Sequence, residues 1–67
     1  MKIIDSLGKK RNIKNLKLKT HTIPDKETGE EKSIMCVEFI IIGKNNEWPN
    51  YMTLEEFSEK NPEVSIG

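Results

Sequence analysis

Between Asn12 and Ile23 the chain alternates, with Leu16, Leu18, Thr20 and Thr22 interleaved with Lys17, Lys19, His21 and Ile23. A period of two sends successive side chains to opposite faces. The pattern therefore predicts a half-buried β-strand, leucines inward and lysines and histidine outward. Pro24-Asp25-Lys26-Glu27-Thr28-Gly29-Glu30 follows, and it is turn chemistry: Pro fixes φ, Asp bonds its local backbone, and Gly takes positive φ. It predicts a hairpin tip longer than a two-residue loop. The return segment, Ser33 to Ile42, places Ile34, Cys36, Ile40 and Ile42 on one face and Met35, Val37, Phe39 and Ile41 on the other. Glu38 alone interrupts the apolar character. A strand apolar on both faces has to be covered on both, which predicts a helix or a partner chain over its second face.

The flanks complete the outline. Lys2-Ile3-Ile4 predicts a short strand, with Gly8 in the turn after it and a basic loop, Lys9-Lys10-Arg11-Asn12, leading into the long strand. Gly43-Lys44-Asn45-Asn46 reads as a second turn. Trp48 to Met52 predicts a short strand, which Pro49 confines to an edge or a bulge. Thr53-Leu54-Glu55-Glu56 has the spacing of a capping box, with Met52 and Phe57 at the positions of a hydrophobic staple. Glu55 and Glu56 suit the positive end of a helix dipole and Lys60 the negative end. Pro62 stops the helix near Asn61, because the residue before a proline disfavours helical φ/ψ. A helix over about 54–61 is too short to survive alone in water, so Leu54 and Phe57 must anchor it to the sheet. A last strand, Glu63 to Ile66, is predicted to close the structure.

This is a mainly β (β-rich α+β) chain: one small domain, residues 1–67, with four or five antiparallel strands and one short C-terminal helix. The element order is compatible with a small SH3-like or chromo-like barrel. That is an analogy of topology, carried by no family motif.

A chain of 67 residues buries only about 60% of its unfolded surface. Scaffolds of this size often add disulfides, a metal or a second subunit. Cys36 is the only cysteine and His21 the only histidine. An internal disulfide is thereby excluded, and a zinc site lacks its three or four nitrogen and sulfur ligands. Good packing or a homodimer remains. A lone cysteine fits a reducing compartment, there is no secretory apolar region after Lys2, and no apolar run approaches the ~20 residues of a membrane span. The chain is read as cytoplasmic.

Charge changes the picture most. Over residues 1–23 seven basic residues oppose one acid, a balance of +6, and over 24–67 four oppose ten, a balance of −6. Lys9, Lys10, Arg11, Lys14, Lys17 and Lys19 form a basic segment suited to tracking a phosphate backbone without reading sequence. Tyr51 is the candidate stacking residue. It is three positions from Trp48 and so points to the opposite face of their strand, leaving Trp48 to the core. The bland alternatives are a solvated edge strand protected by lysine and pairing of the basic half with the acidic half. Glu30-Glu31 and Glu55-Glu56-Glu59 could face a basic partner, although capping already accounts for Glu55 and Glu56.

Catalysis finds little support. Glu38 is expected to lie on the wet side of its strand or to pair across strands with Lys17 or Lys19. His21 and Cys36 have no third group to orient them as a base and nucleophile. The four glycines, at positions 8, 29, 43 and 67, form no phosphate loop. The sequence thus points to a non-enzymatic binding module without cofactor or metal. Its partner is nucleic acid, contacted by the basic strand and Tyr51. The alternative is another protein or a second copy, contacted through Ile34, Ile40 and Ile42 or the acidic helix face, in the manner of a small regulator or inhibitor.

Overall fold

The computed structural model describes residues 1–65. Four strands, β1 (Lys2–Ile4), β2 (Lys10–Pro24), β3 (Glu31–Ile42) and β4 (Glu47–Thr53), precede one helix, α1 (Leu54–Lys60). Each strand pairs antiparallel with the next, giving the order β1-β2-β3-β4. The sheet curls into a half-barrel, with α1 against β1, β3 and β4. Among the described residues the expected closing strand, Glu63 to Ile66, is not formed. Pro62 and Glu63 make a turn after the helix, Val64 and Ser65 are irregular, and Ile66 lies outside the described residues.

The core occupies the inner face. Ile3, Ile13, Val37, Phe39, Ile41, Met52 and Phe57 form one buried cluster, with Leu16, Trp48, Leu54 and Val64 packed against it. The helix, expected over the face of β3 turned away from the core, instead packs on the core face itself, that of Val37, Phe39 and Ile41. Phe57 anchors it, and Met52 and Phe57 meet as the staple across the cap. The amide of Glu56 donates to the Thr53 hydroxyl at 3.2 Å. Trp48 packs against the core as expected, and its ring lies so close to Gly43 that a Cβ there would come within 2.8 Å of it.

The hairpin tip follows its turn residues. Asp25 donates its amide to the Glu30 carbonyl at 2.7 Å and accepts from the Gly29 amide at 2.9 Å, with Gly29 at φ +75°. In β2 the alternation is broken. Between Lys14 and Lys17 the register shifts, so that Asn15 and Leu16 together oppose Phe39, and Asn15 sits at φ +58°. This is a β-bulge, with the extra residue in the left-handed region that asparagine tolerates better than most side chains. Its effect is to turn both Ile13 and Leu16, three positions apart, toward the core.

The first turn is held by a buried carboxylate. Asp5 accepts from the amides of Leu7 (3.0 Å) and Lys9 (2.8 Å) and from Arg11 Nε (2.8 Å). Burial by itself would raise the Asp5 carboxyl, but the Arg11 hydrogen bond, the two amides and the Arg11 charge together outweigh it and hold it below the usual carboxylate value. A group lowered in the folded state contributes stability that is fully present above its unfolded pKa, about 3.9, and is lost as pH falls through the folded value. Stability at neutral pH should accordingly erode in an acid titration below about pH 4, and Asp5→Asn should flatten that erosion. Urea melts of both proteins across the acid range check this. Equal acid slopes would remove Asp5 from the account.

Candidate functional site

The bulge organises the outer face as well as the core. Before it the even-numbered residues of β2 point outward; after it the odd-numbered ones do. Lys10, Lys14, Lys17, Lys19 and His21 therefore fall in one row on the outer side. The span from Lys10 to Lys19 is about 30 Å of strand at ~3.3 Å per residue. Lys9 is exposed in the adjoining loop. Arg11 departs from the expected group: it lies on the inner side, half-buried, with its guanidinium bound to Asp5. Its chemistry is spent on the turn.

Register brings a second set of residues beside this row. Lys17 pairs with Glu38, and Glu38 with Tyr51, on adjacent strands. Glu38 thus lies at the centre of a cluster. His21 Nε2 is 3.0 Å from its carboxylate, Lys17 Nζ 3.9 Å and Lys19 Nζ 4.0 Å. The side chain of Glu38 is 24% exposed, so it is neither isolated nor deeply buried. Lys14 Nζ meets Glu47 at 2.8 Å. Three lysines of the basic half are therefore matched across strands by two acids of the acidic half. Exposed pairs of this kind contribute little stability, about 0–1 kcal/mol each.

Tyr51 is on the outer face, opposite to Trp48, and 56% exposed. Its ring lies 4.9 Å from that of His21, tilted by 30°. A shallow depression of about 210 Å³ lies nearby, lined by Asn15, Lys17, Glu38, Phe39, Ile40, Pro49 and Asn50. Ile34, Ile40 and Ile42 share this outer side and are half-buried, opposite His21, Lys14 and Glu47 respectively. They are interleaved with charged side chains instead of forming an open apolar face.

The other notable feature belongs to the backbone. β1 reaches only Lys10, Arg11 and Asn12 of the long strand, and Met1 adds two bonds to Ile13, accepting from its amide at 2.7 Å and donating its terminal ammonium to its carbonyl at 3.5 Å. From Lys14 to Ile23, β2 is bonded to β3 on one side and, among the described residues, to no strand on the other. β4 ends opposite Cys36, so the outer part of the β2–β3 hairpin runs on as a two-stranded ribbon. Leu18, at the base of the ribbon, and Met35, within it, both on the inner side, are 42% and 45% exposed.

Comparison of the chain with protein-family models, with curated proteins and with solved structures returns no match. Among the described residues no three His, Cys, Asp or Glu side chains are grouped to hold a metal ion, and no helix is long and apolar enough to cross a membrane.

Pairing of Glu38 with Lys17 or Lys19 follows from alternation, and the structure adds His21 to it. The His21–Tyr51 contact and the open edge were not expected. Neither residue of the first announces a neighbour two strands away, and an edge is a property of strand lengths: β2 spans 15 residues against 3 in β1.

Proposed function

We propose that this chain is a small non-enzymatic module that binds another protein by accepting an extended segment along the open edge of β2. The observation that carries this reading is the Lys14–Ile23 stretch, bonded to a strand on one side only among the described residues. Such a row of backbone donors and acceptors is a template for strand addition, in which main-chain bonds give affinity and alternate side chains give selectivity. The single buried cysteine, Cys36, suits a cytoplasmic setting.

A nucleic-acid module is the second reading, favoured by the exposed Tyr51–His21 ring pair beside Lys17 and Lys19. Aromatic platforms flanked by cations suit unpaired bases. It ranks second for an electrostatic reason. A strand of phosphates laid on the outer face would meet Glu38 and Glu47, the two carboxylates already holding three of the lysines.

An amide NMR titration separates the two. Short extended peptides should shift the Lys14–Ile23 amides, whereas oligothymidylate at about 50 mM salt, where phosphate-driven binding is strong, should leave Lys17, Lys19 and Tyr51 unmoved. Shifts at those residues with oligothymidylate, absent with every peptide, would reverse the order.

A further inference from the structure

The side chains that flank the open edge specify what would fill it, on the reading that the edge accepts a strand. We infer that the partner is an extended segment alternating acidic and apolar residues. On the outer side, the edge presents Lys14, Lys17 and Lys19, with Lys17 and Lys19 side chains 67% and 61% exposed. On the inner side it presents Leu18, 42% exposed, beside the half-buried Leu16, with the exposed Met35 beyond on β3. An added strand carries side chains on both sides with a period of two. Its outward residues would stand opposite lysines and its inward residues beside leucines.

Geometry reconciles this with the internal pairs. Glu38 approaches Lys17 and Lys19 from β3, whereas the added strand lies on the far side of β2, one strand spacing (about 4.8 Å) away. A lysine ammonium can swing between the two because it is a flexible point charge and not a fixed fork. An incoming carboxylate would thus gain the lysines without resting on Glu38.

A second copy of β2 fits poorly. The antiparallel register that sets Leu18 against Leu18 sets Lys17 against Lys19 in both directions, and like charges directly opposite destabilise a sheet. Lysines on an edge are a familiar guard against self-association. Here they also select among partners, since what repels a copy attracts a carboxylate.

The probe is a set of short blocked peptides alternating glutamate with valine, threonine with valine, lysine with valine, and glutamate with serine, each titrated into the labelled protein. The glutamate–valine peptide should shift the Lys14–Ile23 amides and bind about fivefold more tightly than threonine–valine, from two or three favourable cross-strand pairs. Lysine–valine should be weakest. Glutamate–serine, which keeps the charge and drops the apolar row, should bind at least about tenfold less tightly than glutamate–valine, as expected when Leu18 and Met35 stay uncovered. In the triple variant Lys14→Gln, Lys17→Gln, Lys19→Gln, whose fold the amide spectrum reports, the glutamate advantage should vanish. Equal binding of the three valine peptides would overturn the charge selection, and equal binding of the two glutamate peptides the apolar half, each leaving strand addition intact. If no peptide moves an edge amide, strand addition itself falls, and this inference with it.

Discussion

Phe57→Ala should leave the chain largely unfolded at 37 °C. Phe57 is fully buried, at 0% exposure, and is the one buried side chain of α1. It inserts between the sheet and the helix among Ile3, Ile13, Val37, Phe39, Ile41 and Met52. Truncating a buried phenylalanine to alanine costs about 3–5 kcal/mol. At ~0.05–0.15 kcal/mol per residue the whole domain holds about 3–10 kcal/mol, so the substitution removes most of the margin. The helix has no independent stability to fall back on at 7 residues. Thermal melting by circular dichroism checks this, with a fall in Tm of at least about 12 °C expected at ~4–8 °C per kcal/mol. Phe57→Leu, which keeps most of the volume, should retain a cooperative transition. A shift under about 5 °C for the alanine variant would show that the helix is not pinned by this contact.

Asn61→Ala should be nearly as damaging, through polar groups instead of volume. Asn61 is 1% exposed and ties the two ends of the described chain together. Its Oδ1 accepts from the Ile4 amide at 2.6 Å, and its Nδ2 donates to the carbonyls of Ile4 (2.9 Å) and Phe57 (3.2 Å). One side chain thereby caps the helix and supplies a neighbour to β1. Each buried group left without a partner costs about 1–3 kcal/mol, so a loss of about 3 kcal/mol or more is expected. Asn61→Asp distinguishes this from ordinary capping. Aspartate could serve a turn, but it has no donor for the two carbonyls and would set a carboxylate against them. Urea denaturation should rank it no better than alanine. An aspartate variant close to wild type would reduce Asn61 to a turn residue.

Both residues show how far the sequence could be read. Phe57 was legible because the capping-box spacing and the staple position fix a helix start and orient its first turn. The long hairpin was legible from alternation and from Pro24, Asp25 and Gly29. Asn61 was visible only as the residue before Pro62, since its bonds run to Ile4, 57 positions away. The same limit applies to Arg11, which belongs by composition to the basic segment but by register to the inner face, where Asp5 takes it. The bulge left a trace. Ile13 and Leu16 cannot both face a core in an unbroken period of two, and Asn15 between them is a residue that accepts positive φ. Which face of β3 the helix would cover was not legible, because both faces are apolar.

The sorted charge illustrates the larger point. A balance of +6 against −6 along the sequence suggests an anionic ligand, yet in the fold Lys14, Lys17 and Lys19 meet Glu47 and Glu38 across strands. Along Lys14–Ile23 the backbone, among the described residues, has a strand on one side only. The length difference between β1 and β2 creates the open edge, and the lysines beside it limit what can occupy it.

Hydrogen exchange of the free protein, amide by amide along β2 at low concentration, tests that open edge most directly. Amides bonded to β3 should exchange slowly and their outward-facing neighbours fast, giving alternating protection from Lys14 to Ile23. Uniform protection across that stretch would mean that the edge is already covered, and would contradict the proposal that it waits for a partner strand.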